Sequence, residues 1–139
     1  REVLDMINEE GLDNIWNRHQ ILADAVRGAV ETWQQPDGLE LNITEPQARS
    51  NAVTTIRTGS INSEQLRKIC ATQAGLILGL GVGGLEADAF RIGHMGHLNP
   101  PMILGTLATI EATLLSMNAP IGANGIGTAA DIIAKAFPN

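Results

Sequence analysis

The residues best suited to bind a ligand lie in the stretch Phe90-Arg91-Ile92-Gly93, an apolar run with one arginine in its middle. In a strand the side chains alternate, so Phe90 and Ile92 point to one face while Arg91 and Gly93 point to the other. An arginine can occupy that second face at low cost only where water or an anion reaches its guanidinium. The missing side chain of Gly93 leaves room beside it. The stretch therefore predicts either a small-anion site at Arg91 or an edge-strand arginine in solvent.

A glycine pattern precedes this stretch. Gly79, Gly81 and Gly84 match the GxGxxG pattern of dinucleotide sites, which must open a helix after a strand. The chain reaches the Arg91 strand too soon for that helix to form. We therefore interpret residues 79–84 as a flexible loop beside a site, because glycine permits close backbone approach.

The histidines give only a weak metal pattern. His94 and His97 are three residues apart, and His19 is distant in the sequence. Zinc sites usually combine histidine with nearby cysteines or carboxylates, which are missing around this pair. We expect no metal site, and we place His94 and His97 on a loop at the rim of the Arg91 site.

No other residue pattern predicts catalysis. Cys70 is the only cysteine and falls on the apolar side of a predicted helix, which favours a buried, unreactive thiol. Lys68 and Lys135 have polar neighbours on predicted helices, so we expect both in solvent. Neither a Ser/His/Asp arrangement nor a carboxylate pair stands out. The residues thus predict one candidate anion-binding group, Arg91, and no catalytic, cofactor-binding or metal-binding residue.

Composition excludes several classes of protein. The chain has 139 residues, 44% of them hydrophobic, which is enough for one domain with a core. A formal net charge of −6 and an aromatic content of 3% argue against nucleic-acid binding. No apolar run is long enough to span a bilayer, so we expect no membrane association. A single cysteine fits a cytoplasmic location.

Hydrophobic periodicity and turn residues predict an alternation of helices and strands. Helices are expected over 2–10, 12–33, about 62–73, 99–117 and from 128 onward, and strands over 39–43, 52–57, 76–78 and around Arg91. Asn62 or Ser63 is the predicted cap of the third helix and Asn99 that of the fourth, and residues 122–127 are a predicted glycine-rich connector. This order predicts an α+β fold, a mostly antiparallel sheet of about four strands with helices packed on one face.

The second helix shows the longest apolar stripe, with Trp33 at its end. Its members recur every three or four residues: Leu12, Ile15, His19, Leu22, Val26, Ala29 and Trp33. Trp16 and Trp33 are expected to be core or interface anchors. Ile132, Ile133 and Phe137 give the last helix its apolar side.

The core of the Arg91 stretch, Arg-Ile-Gly-His-Met-Gly at residues 91–96, resembles the class V aminotransferases of the alanine/serine–glyoxylate type. These are fold type I enzymes that use pyridoxal 5'-phosphate. The similarity extends through residues 10–19, 76–84 and 98–127. It identifies residues 1–139 as the C-terminal small domain of such an enzyme, with residues 1–33 as the helical segment entering it.

The resemblance carries expectations for the site. It implies that Arg91 binds the substrate carboxylate, for which the guanidinium offers a fork of two N–H donors. It also implies that the lysine forming the Schiff base with pyridoxal 5'-phosphate belongs to a large domain absent from this chain. Neither Lys68 nor Lys135 matches that lysine's context, so the fragment alone is expected to be inactive.

We therefore expect the intact protein to be an aminotransferase that moves an amino group from a small amino acid, serine or alanine, to an oxo acid such as glyoxylate. The resemblance also implies a homodimer. Two other functions stay open on the residues alone. One is a free-standing α+β regulatory module that binds a small carboxylate through Arg91, and the other is a purely structural dimerisation domain.

Overall fold

A computed structural model of the chain describes residues 1–122 and 124–137. Its helices are α1 (Glu2–Glu10), α2 (Leu12–Trp33), α3 (Ser63–Gln73), α4 (Pro100–Ser116) and α5 (Gly125–Lys135). Its strands are β1 (Glu40–Leu41), β2 (Val53–Arg57), β3 (Gly79–Leu80) and β4 (Ala89–Gly93). A short 3-10 turn covers Pro46–Ala48.

The strands form one sheet in the order β1-β2-β4-β3, and all three pairings are antiparallel. Alternate residues of the central strands, among them Ile56, Phe90 and Ile92, are buried under the helices. The opposite face carries Thr55, directly across from Arg91. The predicted α+β fold, with a four-stranded antiparallel sheet and helices on one face, is confirmed.

The hydrophobic core lies between the sheet and α2, α4 and α5. Its fully buried members include Val26, Trp33, Phe90 and Leu107. Burial of each such side chain contributes about 1.5–3 kcal/mol. The core fixes one face of β4, and this directs Arg91 to the other face.

Of the two cap candidates for α3, the structure has Asn62 and not Ser63, and the predicted cap Asn99 of α4 is confirmed. Asn62 Oδ1 accepts a hydrogen bond from the Gln65 amide at 2.8 Å, and Asn99 Oδ1 accepts one from the Met102 amide at 3.0 Å. Each bond satisfies an amide that has no partner inside its helix.

The last helix begins earlier than predicted. Asn124 caps it through a bond from the Gly127 amide at 3.1 Å, so α5 starts at Gly125 and not at Thr128. A Cβ on Gly125 would lie 2.2 Å from Trp33 Nε1, so only glycine fits at this contact with α2. Ala123, within the predicted connector, lies outside the described residues.

Two apolar predictions were wrong at the ends of the chain. Leu12 is exposed, and only the half of α2 from Leu22 onward enters the core. Trp16 is 60% exposed, which excludes a place in the core and leaves its role as an interface anchor a prediction. Phe137 is likewise exposed. Periodicity identified the apolar side of each helix but not how far the core extends along it.

Among the described residues, no helix combines the length and the hydropathy needed to cross a membrane.

Candidate functional site

Arg91 lies at the centre of β4 on the face of the sheet opposite the helices. It pairs with Thr55 of β2 on one side and with Gly79 of β3 on the other. Its neighbours Phe90 and Ile92 are buried, so strand alternation alone determines the direction of the arginine. The sequence predicted this arrangement.

One nitrogen of Arg91 is held by the backbone. Its Nε donates a hydrogen bond to the Leu80 carbonyl at 2.7 Å. Within the described residues, the guanidinium forms no salt bridge, and its two terminal nitrogens have no hydrogen-bond partner. Arg91 is therefore a positioned cation with two donor nitrogens left for a ligand.

Arg91 lines a cavity of about 320 Å³, together with Gly79, Gly93, Thr106 and apolar side chains. A Cβ on Gly93 would meet no atom within 4 Å, so the absence of a side chain there keeps this part of the cavity open. The volume suits a small organic molecule.

The cavity lies where the structure differs from the predicted third strand. We expected residues 76–78 to form the third strand and residues 79–84 a loop. Instead β3 consists of Gly79 and Leu80, while Leu76, Ile77 and Leu78 leave the sheet, with Ile77 86% exposed. The edge of β4 at Ile92 and Gly93 has no neighbouring strand there, which opens a space that reaches Thr106 on α4.

A second, smaller cavity of about 150 Å³ is lined by two other arginines, Arg27 and Arg49. Each is neutralised, since Arg27 pairs with Asp24 and Arg49 with Glu31, both at 3.1 Å. Unlike Arg91, these arginines already have carboxylate partners.

His94 does not lie on a loop rim, as the sequence had suggested. It is fully buried, with Nδ1 3.0 Å from the Asn51 carbonyl and Nε2 2.8 Å from Thr54 Oγ1. Since a carbonyl only accepts, Nδ1 carries the proton, and Nε2 accepts from the Thr54 hydroxyl. Burial lowers the pKa of His94, and the nearby charge of Arg27 acts in the same direction. The ring is a neutral link between strands.

His97 is exposed, in agreement with the predicted loop position. No group of three or more His, Cys, Asp or Glu side chains within residues 1–122 and 124–137 could hold a metal ion.

The loop that follows β4 is held by two adjacent residues of α2. The Arg18 guanidinium donates to the Gly96 carbonyl at 2.7 Å and to the Leu98 carbonyl at 2.9 Å. His19 Nε2 accepts from the Gly96 amide at 3.0 Å. Both polar groups of the Gly96 backbone are thus bound by neighbouring side chains.

Glu10 fixes Arg18 in turn, because its carboxylate accepts two hydrogen bonds from the Arg18 guanidinium at 2.6 and 2.7 Å. The hydrogen bond from Arg18 lowers the pKa of Glu10. Sequence reasoning did not find this contact because the eight-residue separation matches no helical pair spacing. The bend at Gly11, where φ is 81°, brings the two side chains together.

The remaining candidates are located as predicted. Cys70 is fully buried, with Sγ 3.4 Å from Thr113 Oγ1. Lys68 and Lys135 are exposed on α3 and α5.

Comparison with known proteins places this geometry in context. No protein-family model matches the chain. Serine–glyoxylate aminotransferase of Hyphomicrobium methylovorum is 37% identical over 138 residues, which make up 97% of this chain and 33% of that protein.

Two solved structures share the fold over nearly the whole chain. Ureidoglycine–glyoxylate aminotransferase from Bacillus subtilis gives a TM-score of 0.82 at 28% identity, covering 94% of this chain and 33% of that one. Pyridoxamine–pyruvate aminotransferase from Mesorhizobium loti gives 0.85 at 25% identity, covering 96% and 34%.

The fold is therefore that of part of an aminotransferase. More narrowly, the chain matches a partial, small-domain portion of the class V aminotransferases of the serine/alanine–glyoxylate type, which confirms the resemblance seen in the sequence. It spans about one third of the length of the relatives it matches.

Proposed function

We propose that this chain is the C-terminal small domain of an aminotransferase that transfers an amino group from a small amino acid to an oxo acid such as glyoxylate. Its role there is to bind the substrate carboxylate through Arg91. The single observation that supports this role is that Arg91 lines the 320 Å³ cavity while its terminal nitrogens have no protein partner in the described chain.

The Leu80 contact determines how the carboxylate can bind. Because Nε donates to the Leu80 carbonyl, the side-on grip that uses Nε and one terminal nitrogen is not available. The two terminal nitrogens can still form parallel bonds to the two carboxylate oxygens. A carboxylate therefore binds end-on, facing the two terminal nitrogens on the side of the guanidinium away from the rest of the side chain. Lysine, with one ammonium group, cannot reproduce this geometry.

The cofactor of the intact protein, in this proposal, is pyridoxal 5'-phosphate, which acts as an electron sink in amino-group transfer. Lys68 and Lys135 are exposed on helix surfaces, and neither lines the Arg91 cavity. We infer that the lysine that holds the cofactor belongs to a large domain of the intact protein, and that the fragment alone is inactive.

The proposal extends to the assembly. The partners of this chain are the large domain and a second copy of the protein, in addition to the amino acid and the oxo acid. Trp16 and Met95 are exposed apolar side chains that line one surface depression with His19. Such a surface supports a contact with another domain or chain.

The proposal is tested by Arg91→Gln and Arg91→Lys in the intact protein. Charge-assisted bonds are worth about 1.5–3 kcal/mol each, so Arg91→Gln should lower kcat/KM for donor and acceptor by roughly a hundredfold or more. Arg91→Lys should recover little of this loss. Steady-state kinetics with a purified amino donor and glyoxylate measure both effects.

Arg57→Gln is the matched control. Arg57 lies on β2 on the same face of the sheet but pairs with Glu40 at 3.6 Å and does not line the cavity. The Arg57→Gln variant should leave kcat/KM unchanged. Unaltered kinetics in both Arg91 variants would refute the carboxylate role.

A further inference from the structure

We propose that Thr106 is a second substrate-binding residue of the Arg91 cavity, and that its hydroxyl selects a small amino acid bearing a hydroxyl group as well as a carboxylate. Serine is the simplest member of this class. The inference rests on the proposed function, which it refines from small amino acids in general to hydroxylated ones.

The polar groups of the cavity are few. Nine residues line it, and of these Arg91 and Thr106 alone have polar side chains. The others are glycines or apolar residues such as Val53 and Leu78. A ligand with one carboxylate and one further hydrogen-bonding group would satisfy both polar side chains, while a second carboxylate would find no second cation in the lining.

Thr106 is also exceptional among the helical threonines of the described chain. Thr32, Thr72, Thr109 and Thr113 each donate to the carbonyl four residues earlier, at 2.8 to 2.9 Å. Such local bonds are the usual arrangement for a hydroxyl in a helix. Thr128 accepts from Thr32. Thr106 makes no side-chain hydrogen bond to any residue that the structure describes, so its hydroxyl remains available to a ligand.

The path of the chain explains why Thr106 of α4 and Arg91, on the face of the sheet opposite the helices, line the same cavity. Leu76 to Leu78 leave the sheet just before β3, so the edge of β4 is uncovered beside Gly93. Gly93 adds no side chain to fill the gap. Arg91 and Thr106 therefore border one continuous space, with the guanidinium and the hydroxyl provided by different layers of the fold.

A protein hydroxyl discriminates substrates through the bond that only one of them can make. Serine can hydrogen-bond Thr106, whereas alanine has no side-chain group that can bond the threonine hydroxyl. One such bond is worth about 0.5–1.5 kcal/mol, which corresponds to a preference for serine of up to roughly tenfold.

The experiment compares Thr106→Val with Thr106→Ser in the intact protein, using serine and alanine as donors and glyoxylate as acceptor. Valine has the shape of threonine without the hydroxyl, so the ratio of kcat/KM for serine to that for alanine should fall severalfold, by up to roughly tenfold. Serine at position 106 keeps the hydroxyl and should retain the ratio. Thr109→Val, one turn along α4 and bonded to the Gly105 carbonyl, is the matched control and should not change it.

The outcomes separate this inference from the proposed function. An unchanged serine-to-alanine ratio in Thr106→Val, or an equal loss for both donors, would overturn the role of Thr106 while Arg91→Gln still abolished turnover. Turnover of neither donor by the parent protein, or full turnover in Arg91→Gln, would contradict the proposed function itself. A lowered ratio that Thr106→Ser restores supports the inference.

Discussion

Gly79 lies directly across from Arg91 in the sheet, and a Cβ at position 79 would stand 3.2 Å from Arg91 Cβ, 3.3 Å from its carbonyl oxygen and 3.6 Å from Nε. Glycine therefore brings the edge strand close enough for Leu80 to hold the arginine. The close approach also leaves the terminal nitrogens as the part of Arg91 that a ligand can reach.

Substitution of Gly79 should weaken binding of a carboxylate without removing any polar group. In Gly79→Ala the new methyl group must displace Arg91 or β3 by a few tenths of an ångström, and in Gly79→Val by more. We expect KM for the amino donor to rise severalfold in the alanine variant and further in the valine variant, because misplacement of an aligned group is costly. Steady-state kinetics of the intact protein provide the measurement.

Gly105→Ala is the control for this comparison. Gly105 lies in α4, and a Cβ there would meet no atom within 4 Å. Alanine in a helix interior is favoured over glycine by about 0.5–1 kcal/mol, so this variant should be slightly more stable with unchanged KM. An unaltered KM in Gly79→Val would show that the close approach to Arg91 is not needed.

Stability should depend on pH through His94. Because burial lowers its pKa in the folded chain, the unfolded chain binds a proton first as the pH falls below the ordinary histidine value of about 6.5. The contribution of the neutral ring is therefore fully present above that pH and is lost as the pH falls toward the folded-state pKa. Within that window the slope is at most about 1.4 kcal/mol per pH unit.

Urea unfolding of the chain between pH 5 and pH 7.5 measures this effect. His94→Gln should abolish the part of the pH dependence that arises in this window, although the variant is less stable at every pH. His97→Gln, which changes an exposed histidine three residues further along the chain, should keep it. Identical pH profiles for the parent chain and His94→Gln would contradict the prediction.

The hydrogen bonds of Arg18 and His19 to the Gly96 backbone should be detectable by amide hydrogen exchange. His19→Ala removes the group that accepts the hydrogen bond from the Gly96 amide. In Arg18→Lys, a single ammonium group cannot bond Glu10 and the carbonyls of Gly96 and Leu98 at the same time. Both variants should speed exchange at Gly96, by roughly tenfold for a lost bond of about 1.4 kcal/mol. NMR-detected exchange at constant pH gives the rate.

Asn17 offers a control position on α2 next to Arg18. It is exposed and forms no side-chain hydrogen bond with the residues that the structure describes. Asn17→Ala should leave exchange at Gly96 unchanged. Equal rates in the parent chain and in His19→Ala would show that the ring does not hold this amide.

The sequence predicted those features that depend on local rules. Alternation in β4 directed Arg91 away from the core, and Asn62 and Asn99 capped their helices, because strand periodicity and capping act within a few residues. The α+β class followed from the order of the elements. Residues Leu76 to Leu78 were misinterpreted because three apolar residues satisfy a strand pattern whether or not the sheet extends to them.

The features that were missed depend on contacts between distant parts of the chain. Burial of His94 requires Thr54 of β2 and Asn51 just before that strand, and the contacts of Gly96 require a helix nearly eighty residues earlier. Thr106 carried no pattern of its own, since one hydroxyl on an apolar helix is common. Its significance depends on the cavity, which exists only because the neighbouring segment leaves the sheet.

The sole thiol of the chain gives it an internal reporter. Cys70 has no exposed surface and lies between α3 and α4, next to Thr113. A thiol reagent can reach it only when those helices separate. The rate at which the native chain becomes labelled therefore measures how often its interior opens, and no dye or engineered cysteine is needed to follow it.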